Sequence, residues 1–152
     1  NEGAAVVSVA SRAGMAWQSN LDQLDDLLAQ TPGSLADWCA ANGVDATRAY
    51  ILSKQAVIYW HQRAVTPYIG RHRFVTVSPS AVSTGIMDDF LKAFGPIVAA
   101  NLARVGRSGT PEEVAELIAF CISPAARWMN GVDVITDGGM GAMAMMAERN
   151  GE

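Results

Sequence analysis

The sequence predicts an α/β fold in which parallel strands are joined by crossover helices. Three observations carry this expectation. Short runs rich in valine recur at 4–10, 74–78 and 132–136, and the first is apolar and β-branched like a buried parallel strand. The segments between them are far longer than hairpin loops and carry helical periodicity. The elements alternate as strand, inserted helices, long helix, strand, lobe, helix, strand, which is how parallel sheets are built. The right-handed crossover rule is expected to set the hand of the connections.

Taken in order, Ala4 to Ala10 reads as a buried strand that Gly14 ends. Residues 15–45 form a polar, helix-rich excursion. Within it Asn20 is placed to cap a helix from Leu21 to Gln30, whose stripe is Leu21, Leu24, Leu27 and Leu28. Pro32-Gly33 breaks that helix. Ser34 is placed to cap a second one from Leu35 to Ala41, and Asn42-Gly43 ends it. Asp45 is the expected N-cap of the main helix, Ala46 to Tyr68, which is apolar on nearly all sides and so expected to be largely buried. Phe74 to Ser78 reads as a second strand, and Pro79 to Ser83 as a loop. Thr84 starts an irregular helical region. Thr110, Pro111 and Glu113 spell a capping box with proline at the first helical position. Val132 to Thr136 is the third strand, stopped by Asp137-Gly138-Gly139, and a methionine-rich tail follows.

Composition narrows the function classes. The 152 residues suffice for one domain with a core. Half are hydrophobic and 17% charged, which excludes disorder. A net charge of −4 argues against nucleic acid as a partner. The compact basic cluster Arg71-His72-Arg73 reads as a solvated corner. Cys39 and Cys121 make no disulfide framework and read as small buried hydrophobes, so a reducing, cytoplasmic setting is expected. No apolar run approaches a membrane span. His61 and His72 lack metal-ligand spacing, so no metal is expected. Asp22, Asp25 and Asp26 read as a solvated helix face rather than an acid pair.

The chemistry-bearing residues lie elsewhere. Tyr50 and Lys54 are four apart in the long helix, which puts phenol and ammonium on one face, one turn from each other. Ser11 lies upstream at the end of the first strand, and the Pro79–Thr84 loop lies downstream. Ser, Tyr and Lys in that order point to proton transfer at an alcohol or carbonyl carbon. A cation beside a phenol favours its ionised form, which a tyrosine needs to act as a base near neutral pH. Each residue also has a plain structural reading. Tyr50 and Lys54 can be an amphipathic pair with a snorkelling lysine. Ser11 can simply end a strand, and Thr84 can be a helix cap.

Together, Ser11 in Ser-x-Ala-Gly, Tyr50-x-x-x-Lys54, Pro79-x-x-x-x-Thr84 and the closing Val134-Ile135-Thr136-Asp137-Gly138-Gly139 resemble the C-terminal half of the short-chain dehydrogenase/reductase family. The long separation of Ser11 from Tyr50 resembles its 3α-hydroxysteroid dehydrogenase/carbonyl reductase branch. The resemblance implies a Rossmann-type, doubly wound parallel sheet, of which 1–152 is the C-terminal part of a single domain. Residues 15–45 would be a helical insertion and 84–104 the substrate lobe. It implies Ser11, Tyr50 and Lys54 as catalytic residues and NAD or NADP as cofactor. Tyr50, Lys54, Pro79, Ser80, Ala81, Val82 and Thr84 would hold the cofactor's nicotinamide end.

The substrate implied is a small hydrophobic alcohol or ketone, steroid-like in type. Its pocket would be formed by Ser11, Met87, Phe90 and Leu91, and ordinary core is the equal alternative for the last three. Trp17 and Trp38 would cover the site or an interface. Family members commonly pair as homodimers or homotetramers. With the insertion near one such surface, contact through Pro111 to Thr136 is favoured. Two departures stand out: Val75 occupies a place where the family usually carries Asn, and Ser80 replaces a usual Gly. A catalytically silent relative that binds nucleotide or a protein partner is therefore the second reading. The family's glycine-rich phosphate loop lies in a front half, so the sequence reads as a piece of a longer polypeptide. Purified 1–152 is accordingly expected to show no turnover alone, and an alcohol-oxidation assay on it checks this.

Overall fold

The computed structural model describes residues 2–85, 95, 96, 99, 100 and 102–151. Three strands form one parallel sheet in the order β1-β2-β3, with β1 at Ala5–Val9, β2 at Arg73–Pro79 and β3 at Val132–Thr136. Val7 pairs with Val75 and Val75 with Val132, and Val9 pairs with Val77 and Val77 with Val134, so two register rows of valines cross the sheet. The helices bounded within the described residues include α1 at Leu21–Ala29, α2 at Leu35–Ala41, α3 at Ala46–Tyr68, α4 at Pro111–Ile122 and α5 at Met140–Asn150. The last was not read from the sequence as a helix. Two left-handed glycines bracket it, Gly139 at φ 87° and Gly151 at φ 74°.

β2 is covered on both sides. α4 lies on the face that presents Val7, Val75, Val77 and Val134, with Cys121 buried among them. The thiol of Cys121 is pushed up by that burial. α3 lies on the other face, where Trp60 and His61 meet the Phe74 ring edge-on. The strands advance in one direction while the two helices take opposite faces. The two connections are therefore of opposite hand, and one departs from the right-handed rule. The second connection carries the stretch 80–110 before α4 begins, which is long enough to swing that helix to the other face.

Local chemistry explains most element ends. Asp45 caps α3 by accepting from Arg48 N at 2.7 Å. Thr110 and Glu113 close the capping box of α4, and Arg107 grips the same Glu113 at 2.9 and 2.7 Å. That grip holds the Glu113 carboxyl at about 2. Two expected caps are used otherwise. Asn20 donates to the buried Gln55 at 3.0 Å, and Ser34 bonds Gln30 and Thr31. Arg73 is no solvated corner: its guanidinium donates to the carbonyls of Cys121, Ser123, Ala126 and Met129, which satisfies the end of α4 and the 3-10 turn Pro124–Ala126.

The insertion packs on α3 as a second core of Leu24, Trp38, Leu52 and Ala56. Trp38 is buried there and donates to Asp26 at 2.6 Å, while Trp17 stacks on Tyr59. Both tryptophans thus pack within the chain. Asp25 takes Tyr59 and Arg63, so two of the three carboxylates on α1 are tertiary ties rather than a merely solvated face. α3 is not buried all round, since Trp60 is half exposed; Cys39 is only partly buried.

Gly14 is the tightest approach between segments. A Cβ there would stand 2.8 Å from Ile58 Cδ1 and 2.9 Å from the carbonyl carbon and oxygen of Lys54. Backbone cannot yield as a flexible side chain can. Gly14→Ala is therefore expected to destabilise the protein by about 1–3 kcal/mol through overpacking, measured as a lowered denaturant midpoint at unchanged slope.

His61 is buried, bonds Val57 O through Nδ1 at 2.9 Å, and leaves Nε2 without a hydrogen-bond partner. Burial lowers its pKa below the ordinary 6.5. The unfolded chain then binds the extra proton, so stability is full above 6.5 and falls as pH drops below it. The unfolding free energy, measured by denaturant titration between pH 7 and 5.5, should decline by up to about 1.4 kcal/mol per pH unit from this group. His61→Gln should flatten that part of the slope.

Candidate active site

Parallel strands gather their carboxyl ends on one side, where Ser11, the Lys54 ammonium and the start of the Pro79–Thr84 loop lie. Ser11 follows β1 and is buried, in extended backbone at φ −168°. Its Oγ accepts from Ala13 N at 3.2 Å and its carbonyl from Gly14 N at 2.8 Å, which shapes the 3-10 turn Arg12–Gly14. The backbone contact at Gly14 sets this turn against α3 at Lys54.

Lys54 turns its ammonium back to the end of β1, where Nζ donates to Val9 O at 3.3 Å. The same ammonium lies 5.7 Å from the centre of the Tyr50 ring. One cation thus joins the phenol of Tyr50 to the strand end that carries Ser11. Lys54 and Tyr50 are both half-buried, which leaves the group reachable from solvent.

The Pro79–Thr84 loop leaves the adjacent strand. Ala10 N donates to Val77 O at 2.8 Å, so the strand ends that lead into Ser11 and into the Pro79–Thr84 loop are neighbours. Ser80 N donates to Thr136 O at 3.2 Å, and the Ser80 hydroxyl reaches Met140 Sδ at 3.2 Å. The serine that replaces the expected glycine therefore has a partner of its own. Val82 forms a parallel bridge to Gly109: Gly109 N donates to Ala81 O, and Ser83 N to Gly109 O, each at 2.9 Å. Thr84 is exposed, its hydroxyl 3.5 Å from Val82 O. Val75 is fully buried in the α4 core. Met87, Phe90 and Leu91 lie outside the described residues.

Two features of this region escaped the sequence reading. The loop is held by Gly109 and the Arg107–Glu113 pair, for which the capping-box spelling was the available signal. A cavity of about 160 Å³ lies behind the loop, lined by Ser80, Ala81, Val82, Arg107, Glu113, Asp137 and Met140 among others. None of Ser11, Tyr50 and Lys54 lines it, so it is separate from the Ser-Tyr-Lys group. Among the described residues no group of three His, Cys, Asp or Glu is arranged to hold a metal ion, and no helix is long and apolar enough to cross a membrane.

The chain has relatives among known proteins. The chain is 29% identical over 144 residues to coniferyl-alcohol dehydrogenase of Pseudomonas sp. (strain HR199 / DSM 7063), covering 91% of this chain and 56% of that protein. It is 33% identical over 98 residues to 3-alpha-hydroxysteroid dehydrogenase/carbonyl reductase of Comamonas testosteroni, covering 62% and 38%. Among solved structures, 3-alpha-hydroxysteroid dehydrogenase from Pseudomonas sp. B-0831 complexed with NADH superposes with a TM-score of 0.72 at 32% identity, over 92% of this chain and 56% of that one. The chain thus spans about half the length of the relatives it matches. The sheet and its flanking helices are those of a Rossmann-type fold. A family model described as Enoyl-(Acyl carrier protein) reductase matches residues 34–141, from α2 through α3, both later strands and the start of α5; with most of its length so matched, the chain belongs to the short-chain dehydrogenase/reductase family.

Proposed function

We propose that the protein carrying this chain is an NAD(P)-dependent oxidoreductase that interconverts a secondary alcohol and a ketone on a hydrophobic, steroid-like substrate. The observation that carries this reading is the Lys54 ammonium, held by Val9 O at the end of β1 and set against Tyr50 beside buried Ser11. The donor set suits a nicotinamide nucleotide. Lys54 offers a cation for ribose hydroxyls, and the loop of Pro79, Ser80, Ala81, Val82 and Thr84 offers backbone and hydroxyl groups for the carboxamide. When bound, that cofactor accepts or delivers the hydride.

The chain's own residues handle the proton and the oxygen. Ser11 donates to the substrate oxygen and fixes its place. Tyr50 takes the hydroxyl proton during oxidation and returns it during reduction. Lys54 favours the ionised phenol through its charge. The pocket wall is assigned to Met87, Phe90 and Leu91. We assign association into homodimers or homotetramers to the surface from Pro111 to Thr136, where Phe120, Ile122 and the almost fully exposed Trp128 face outward. The free thiols Cys39 and Cys121 suit a reducing cytoplasm.

The second reading, a silent relative that binds nucleotide or a partner, draws on Val75 and Ser80. One substitution separates the two. Tyr50→Phe in the protein that carries this chain should lower kcat for alcohol oxidation on the order of 10²-fold or more, while the melting midpoint and NADH binding by fluorescence persist. Unchanged turnover would remove Tyr50 from the chemistry.

A further inference from the structure

We propose that Arg12 and Asp137 form a clasp that positions Ser11, tying the turn after β3 to the turn after β1. Arg12 directly follows Ser11 in the same 3-10 turn. Its Nε is buried and lies 3.2 Å from Asp137 Oδ2, a charge contact without hydrogen-bond geometry; the two side chains are only 24% and 12% exposed. At such burial the attraction is little screened, and loss of either partner strands a charge.

Asp137 is itself fixed. Its Oδ1 accepts from Gly139 N at 2.9 Å and its Oδ2 from Gly141 N at 2.8 Å, so the carboxylate caps α5 while it faces Arg12. Gly141 leaves the room this requires, since a Cβ there would stand 3.0 Å from Asp137 Oδ2 and 3.1 Å from both Arg12 Nε and Nη2. Met140 in the same turn receives the Ser80 hydroxyl. One turn therefore braces the Ser11 loop through Arg12 and the Pro79–Thr84 loop through Met140. Neither Arg12 nor Asp137 is assigned a contact with substrate; both are positioning residues.

The kinetic part of this inference rests on the oxidoreductase reading, so the test has two readouts. In the protein that carries this chain, Asp137→Asn should lower kcat on the order of 10- to 100-fold with the KM for NAD(P) unchanged. In a Ser11→Ala background the same substitution should change kcat by no more than about twofold, because the group it positions is gone. Independently of turnover, amide hydrogen exchange should rise at residues 10–15 and stay unchanged in β2. Arg12→Gln leaves the α5 cap intact and serves as a second variant should Asp137→Asn fail to fold; Arg12→Lys should recover part of the kcat lost in Arg12→Gln. Equal losses of kcat in the two backgrounds, or unchanged exchange at residues 10–15, would overturn the clasp. Absence of turnover in the unsubstituted protein would count against the oxidoreductase reading alone, and the exchange readout would still decide the clasp.

Discussion

Gly14 has no side chain, and the backbone of Lys54 occupies the space one would need. That close approach brings the end of a strand onto the middle of a 23-residue helix. The turn that follows Ser11 and the helix that carries Tyr50 and Lys54 are joined because two pieces of main chain touch. The excursion between them packs elsewhere, on the flank of α3 through Leu24 and Trp38, and so leaves this contact undisturbed.

The second organising element is the turn after β3. In a parallel sheet each loop at the carboxyl ends is free to move unless something spans several strands. Here Thr136 O takes the Ser80 amide, Met140 takes its hydroxyl, and Asp137 meets Arg12. Gly109 adds a brace from the far side of the Pro79–Thr84 loop, backed by the Arg107–Glu113 pair. The Ser11 turn and the Pro79–Thr84 loop are thereby tied to the elements around them.

Much of this was legible in the residue order, for physical reasons that differ between elements. β2 was readable because burial on both faces of a sheet demands an apolar run, and α3 and α4 because Asp45 and the Thr110–Glu113 box spell their caps; β1, expected to be buried, and β3 are only half covered, with Val6, Val9, Val132 and Ile135 exposed. That Tyr50 and Lys54 share one face of α3 was readable because four-residue spacing on a helix constrains it. The remainder depends on long-range choices. Asn20 and Ser34 are good caps by residue type, yet Gln55 and Thr31 compete successfully for their side chains. Nothing local marks Arg73 as the group that ends α4, or Arg12 as the partner of Asp137. The opposite hand of the two crossovers likewise lies in where α4 packs, since the order of elements alone permits either face.

The described residues hold two separate apolar clusters, one between α4 and the sheet and one between the insertion and α3, and each contains one of the two cysteines. Cys121 is fully enclosed in the first, while Cys39 lies partly open against the second. Clusters that share no buried side chain need not open together. The chain thus carries an internal chemical reporter in each: alkylation of Cys39 follows the loosening of the inserted helices, and alkylation of Cys121 waits for α4 to leave the sheet.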